Sequence, residues 1–212
     1  MVKDTVTRWA DTIEVNRGAW PAALLLGLVD RLSGGDPELV NRYGAKGLFQ
    51  IHPDTAAQFG VDPDELFDPD LATIAAVALL EDRKEKIKNA LARAAMWDAT
   101  DDQALALTLA AYWYGPAKIV QAIVAGHGPR PADVFRQLAS GQHMADFVAD
   151  VMARAAEYEL HLAPVATGGE PANGQPAKNG KPNASLGRTL FGLAIAAGVV
   201  GLGVYAVKQS KW

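Results

Sequence analysis

The sequence contains no cysteine, and its balance of charge is almost even. Without cysteine the chain has no disulfides and no thiolate metal ligands, so thiol redox chemistry is excluded. The formal charge of −4 gives no broad basic field, which argues against a nucleic-acid partner. The few histidines have no spacing with carboxylates that suggests a metal site. We therefore predict neither a metal nor a cofactor.

Sustained alternation of apolar and polar residues, the pattern of a half-buried strand, is also missing. Apolar residues recur instead at helical spacings of three and four, most clearly from Leu71 to Ala94. A nearly all-apolar run at 22–32 predicts a buried helix behind Pro21. Further helices are predicted over 3–16, 53–60, 101–114, 132–139 and 144–160. The predicted fold class is therefore all-α.

Large apolar side chains almost disappear from the chain after residue 163. Residues 1–163 form the predicted helical domain, and the Pro-, Gly- and Asn-rich residues 164–186 read as a flexible linker. An uninterrupted apolar or small run from Leu190 to Val207 follows, which as a helix would span about 27 Å. We expect residues 187–209 to form a single C-terminal transmembrane helix, with a buried core helix as the alternative. Small residues four apart along it favour self-association in the bilayer.

Two motifs in the helical part resemble a known enzyme family. The first begins Leu32-Ser-Gly-Gly-Asp-Pro37 and continues Gly44-Ala-Lys-Gly-Leu-Phe-Gln-Ile-His-Pro53; the second is Ala111-Tyr-Trp-Tyr-Gly-Pro116. They resemble the Glu-Ser…Pro…Gly-Ala-x-Gly-Leu-Met-Gln-x-x-Pro and Ala-Tyr-Asn-Ala-Gly-Pro motifs of the lytic transglycosylases. The resemblance implies a lysozyme-like helical fold related to goose-type lysozyme. It also implies peptidoglycan glycan strands as the partner.

The residue types in these motifs suit carbohydrate binding. Glycines allow tight turns beside a groove, the glutamine amide both donates and accepts hydrogen bonds, and aromatic rings offer apolar faces with polar tips. Packing in the core is the alternative role for the aromatic residues. The candidate substrate-binding residues are Ser33, Phe49, Gln50, Tyr112, Trp113 and Tyr114.

One position departs from the family motif in a way that bears on activity. The resemblance implies that a glutamate protonates the leaving oxygen of the glycosidic bond and then accepts a proton from the muramic acid hydroxyl. That glutamate falls on Leu32, which can do neither. Asp36 and Glu38, on the following loop, are weak candidates for a replacement acid. Trp113 and Tyr114 also replace an Asn and an Ala of the second motif.

The N-terminal residues lack the apolar core of a secretory signal, which conflicts with a role at the cell wall. A phage virion with an internal membrane would resolve this conflict, with the lipid bilayer and other virion membrane proteins as further partners. The leading hypothesis is a membrane-anchored, catalytically impaired transglycosylase-like protein that binds peptidoglycan or acts structurally. The alternative is an active transglycosylase that uses Asp36 or Glu38.

Overall fold

The computed structural model describes residues 1–96, 99–126 and 129–163. Within these ranges the chain forms nine α-helices and a short 3-10 turn at Glu65–Phe67, while β structure is limited to isolated bridges between Val40, Lys46 and Ile51. The all-α prediction is confirmed. The helices are α1 (Asp4–Thr7), α2 (Ala10–Asn16), α3 (Ala22–Leu32), α4 (Pro53–Gln58), α5 (Pro69–Arg93), α6 (Asp101–Tyr114), α7 (Pro116–Val124), α8 (Pro131–Arg136) and α9 (Gly141–Leu162).

Helix α3 lies at the centre of the domain, with eight successive residues from Ala23 to Asp30 buried. Its main neighbour is α9, which approaches so closely that a Cβ atom on Gly27 would lie 2.8 Å from the Val151 carbonyl oxygen. Only a glycine leaves room for this crossing. The close contact fixes the direction in which α3 carries its C-terminal end toward the site.

The sequence at two helix starts explains where those helices begin. The Asp68 carboxylate accepts hydrogen bonds from the amides of Asp70 and Leu71 ahead of α5. Thr100 and Gln103 form a reciprocal capping box at the start of α6. Each cap satisfies amide groups that have no partner within the helix.

The structure differs from the prediction at the N-terminus and after α6. The single helix expected over 3–16 is interrupted at Arg8 and Trp9, whose side chains both donate to the Gly35 carbonyl oxygen. Helix α7 was not predicted, because Gly115-Pro116 reads as the end of a helix. Proline is equally suited to the first turn of a new helix, and α7 begins there.

None of the helices in the described ranges is long and apolar enough to cross a membrane. The predicted linker at 164–186 and the predicted transmembrane helix at 187–209 lie outside the described residues.

Candidate functional site

The C-terminal end of α3 forms the first part of the candidate site. Leu32 is its last residue and is half-buried, packed against the edge of the core. Ser33 ends the helix: its hydroxyl donates to the Val29 carbonyl oxygen over 3.1 Å and accepts from the Gly35 amide over 3.2 Å. The Ser33 side chain therefore shapes the turn that leads away from Leu32.

The loop after α3 is held in place by its own backbone and by Gln50. Gly47 has a φ of +72°, and a Cβ atom there would lie 1.9 Å from the Leu66 carbonyl oxygen. Gln50 is only 6% exposed, and its amide nitrogen donates to the carbonyl oxygens of Leu39 and Gly47, both over 2.9 Å. Both N–H groups of the Gln50 amide are therefore bonded to the loop, so this side chain braces the loop.

The end of α6 joins this loop to the rest of the site. Tyr112 is buried, and its hydroxyl donates to the Phe49 carbonyl oxygen over 2.9 Å. Burial raises the pKa of the Tyr112 phenol well above its usual range, so the group stays a neutral hydrogen-bond donor. The Phe49 ring is fully buried in the core. Tyr112 and Phe49 therefore connect α6 to the loop through buried contacts.

Trp113 and Tyr114 point outward, in contrast to Tyr112. The Trp113 indole is 37% exposed and stacks on the Phe147 ring of α9, with centroids 5.4 Å apart and an interplanar angle of 15°. Tyr114 meets the Trp113 ring edge-on and is half-buried, and burial raises the pKa of its phenol. Of the aromatic residues predicted to bind substrate, these two have side chains that are partly exposed to solvent.

The acidic side chains nearest to Leu32 in sequence have different surroundings. Asp36 and Glu38 are exposed on the loop, and the Asp36 carboxylate accepts from the Glu38 amide over 2.9 Å. Asp30 is buried and accepts from Lys3, Arg154 and Tyr158. Burial raises the pKa of Asp30, but these hydrogen bonds outweigh it and lower the pKa overall. A carboxylate held in this way is a poor proton donor.

Two residues at this site were missed from the sequence. The guanidinium group of Arg31 lies 5.7 Å from the Phe147 ring centroid, and its Nε donates to Asp150 over 3.1 Å. Arg31 could have been noticed as the neighbour of Leu32. Phe147 could not, because its place beside Trp113 depends on how α9 packs in three dimensions.

The domain is similar in structure to the 70 kDa soluble lytic transglycosylase SLT70 from Escherichia coli, with a TM-score of 0.56 and 18% sequence identity. The match covers 73% of this chain and 24% of the other, so the chain spans about a quarter of that protein. The fold is thus the all-α, lysozyme-like fold of a lytic transglycosylase. The sequence model of the transglycosylase SLT domain family matches residues 13–127, which is more than half of the chain. The chain therefore belongs to this family. A search of curated proteins found no match.

Proposed function

We propose that this domain binds the glycan strands of peptidoglycan and cleaves them poorly or not at all. The observation that carries the proposal is Leu32, an aliphatic residue at the end of α3, on the position where the resemblance to the family motif places the glutamate. Loss of general acid–base catalysis alone typically costs a factor of about 10²–10⁴ in rate. The glycine-rich loop that follows this position is braced by Gln50 and Tyr112, which supports an ordered binding surface there.

An active enzyme that uses Asp36 or Glu38 is the second candidate. Both side chains are carboxylates on the loop that leaves α3, which is the observation in its favour. Both are exposed to solvent, however, and an exposed loop holds a side chain less tightly than the end of a buried helix does. We therefore favour binding without efficient cleavage.

The test is to incubate the full chain with purified sacculi and analyse both the pellet and the released material. Binding without cleavage predicts that the protein sediments with the sacculi and that no anhydro-muropeptides are released. Release of anhydro-muropeptides that is abolished in an Asp36→Asn, Glu38→Gln double variant would establish the second candidate. A protein that neither sediments nor cleaves would instead be a purely structural component.

We further propose that residues 187–209 anchor the domain in a membrane, and that the assembly is a virion with an internal membrane. The support is the long apolar run behind a polar, Pro- and Gly-rich segment. In such a particle the domain would meet the cell wall during genome entry. Mass spectrometry of purified particles tests this role, and absence of the protein from them would refute it.

A further inference from the structure

The N-terminal segment at residues 3–9, here called the strap, is bonded to the turn that follows α3. The Gly35 carbonyl oxygen accepts a hydrogen bond from Nη2 of Arg8 over 2.9 Å and another from Nε1 of Trp9 over 3.0 Å. The Arg8 guanidinium also lies over the Trp9 ring, 4.5 Å from its centroid. The family match begins at residue 13, so the strap lies outside the matched part of the chain. Two of its side chains converge on one carbonyl group.

The strap and the turn are in direct contact along their backbones. A Cβ atom on Gly35 would lie 2.1 Å from the Thr5 carbonyl oxygen. The Thr5 hydroxyl donates to the Gly34 carbonyl oxygen over 2.9 Å, and Val6 of the strap is completely buried. Gly35 is buried as well, so its carbonyl oxygen obtains hydrogen bonds from the strap rather than from bulk water.

The turn leads directly into the loop that carries the glycine-rich motif. The Leu39 carbonyl oxygen accepts from the Gly47 amide over 3.0 Å and from the Gln50 side chain over 2.9 Å. Residues 35–39 are therefore held at one end by the strap and at the other end by the loop. Through this short segment, the strap acts on the loop that follows Leu32.

We propose that the strap positions residues 35–39 for glycan binding, and that Arg8 and Trp9 are positioning residues that act through the Gly35 carbonyl oxygen. A buried carbonyl group without a donor is unfavourable, so loss of both donors favours a displaced turn in which this group reaches water. One donor is enough to satisfy the carbonyl group, so loss of either donor alone has little effect. This inference rests on the proposed glycan binding and adds the part of the chain that sets the geometry of the loop.

The experiment compares variants of the full chain in detergent. The double variant Arg8→Met, Trp9→Phe removes both donors but keeps an apolar stem and an aromatic ring. The single variants Arg8→Met and Trp9→Phe are the matched controls, because each keeps one donor to Gly35. Thr7→Val is a further control, since the Thr7 hydroxyl donates to the Asp4 carbonyl oxygen within α1.

Two quantities are measured on each variant, after urea denaturation has shown that it is folded under the assay conditions. The first is amide hydrogen exchange of peptides that cover residues 33–39, with peptides from residues 144–152 of α9 as the reference. The second is the apparent Kd for purified sacculi, from co-sedimentation at increasing amounts of sacculi.

In the double variant we expect exchange over residues 33–39 to accelerate by about 10-fold and the affinity for sacculi to fall by a similar factor, in line with the loss of a hydrogen bond to a buried group. Each single variant and Thr7→Val should stay within about two-fold of the wild type, because the effects of two donors to one acceptor are not additive. Exchange in α9 should not change, since a local opening of the turn does not involve it. A purely structural role of Arg8 and Trp9 would lower the global stability and leave the affinity of the folded protein unchanged.

Failure of this inference can be told apart from failure of the proposed function. If the folded double variant binds sacculi as the wild type does, the positioning role is refuted while glycan binding stands. If the wild type does not sediment with sacculi, glycan binding and its dependence on the strap are both refuted. Should the double variant fail to fold, Thr5→Val decides, because it removes the bond to the Gly34 carbonyl oxygen. It should accelerate exchange of the turn and weaken binding, and wild-type values of both would overturn the inference.

Discussion

The proposed loss of catalysis depends on Leu32, and introducing an acid at this position is its most direct test. We expect Leu32→Glu to raise the release of anhydro-muropeptides from sacculi by about 10²-fold or more over the wild type, since the introduced carboxyl can transfer a proton. Leu32→Gln is the matched control, because a glutamine side chain has nearly the shape of a glutamate but its amide has no acidic proton to transfer. Release is measured by chromatography of the soluble products.

The outcome distinguishes a site that lacks only its catalytic acid from a site that can no longer position the glycan. Activity in Leu32→Glu and none in Leu32→Gln would mean that the surrounding residues can still position the glycan for cleavage. Equal release from both variants and from the wild type would show that position 32 does not control the reaction.

Gly47 tests how tightly the loop is built. A Cβ atom would lie 1.9 Å from the Leu66 carbonyl oxygen, and φ is +72°, so Gly47→Ala should lower the free energy of unfolding by about 2–4 kcal/mol. Gly44 is the matched control, because its φ of +83° is similar but nothing lies within 4 Å of an added Cβ atom. Gly44→Ala should cost about 1 kcal/mol. Urea denaturation compares the two, and equal losses would contradict a steric role for Gly47.

At the scale of elements, Asp30 holds three parts of the domain together. It lies in α3, accepts from Lys3 at the start of the chain, and accepts from Arg154 and Tyr158 of α9. Burial and the hydrogen bond to Asp30 raise the pKa of Tyr158 to about 12, so the phenol remains a donor at neutral pH. This arrangement places a charged cluster beside the α3–α9 crossing.

We expect Asp30→Asn to lower the free energy of unfolding by roughly 1–3 kcal/mol at neutral pH. This is less than for a fully buried ion pair, because Lys3 and Arg154 are partly exposed. Because folding lowers the pKa of Asp30, the ionised carboxylate stabilises the fold at pH values above its unfolded-state pKa of about 3.9. This stabilisation is lost as the pH falls through the folded-state pKa. The difference between wild type and variant should therefore shrink in acid.

Asp150→Asn serves as the comparison for this prediction, because its ion pair with Arg31 is exposed and should contribute at most about 1 kcal/mol. Chemical denaturation at pH values from 7 down to the acid range gives both differences. A constant difference between wild type and Asp30→Asn across that range would contradict the role assigned to the ion pairs.

Elements with a strong local signal could be predicted from the sequence, and those that depend on tertiary contacts could not. The apolar run of α3, the Asp68 cap of α5 and the Thr100 capping box of α6 all act within a few residues, and these helices lie where they were expected. The break between α1 and α2 coincides with contacts to Gly35, more than twenty residues away. Local periodicity carries no information about such a contact.

The same distinction applies to the candidate site. The two motifs predicted a set of candidate site residues, but motifs cannot tell a side chain that faces a ligand from one that braces the loop. Gln50 and Tyr112 were expected to meet the substrate, and the structure shows their polar groups bonded to backbone carbonyls of the loop. Phe147 has no motif, and only the packing of α9 brings it under Trp113.

At the scale of the whole molecule, the helical domain and the C-terminal apolar run predict a protein that is anchored at one end. We expect the full chain to sediment with membranes and to resist extraction at alkaline pH, and a chain ending at residue 163 to remain in the supernatant. An arginine at the centre of a transmembrane helix costs about 2.5–3.5 kcal/mol, so Val199→Arg should release a large fraction of the protein. Val199→Leu is the matched control, and it should behave like the wild type.

The same fractionation tests whether anchoring and glycan binding are separable. Because the candidate site lies entirely within residues 1–163, the shortened chain should still sediment with sacculi while it no longer sediments with membranes. Loss of both properties on shortening, with the helical content unchanged by circular dichroism, would mean that the C-terminal residues take part in binding. Full extraction of the intact chain at alkaline pH would refute the membrane anchor and, with it, a fixed position of the domain at a membrane surface.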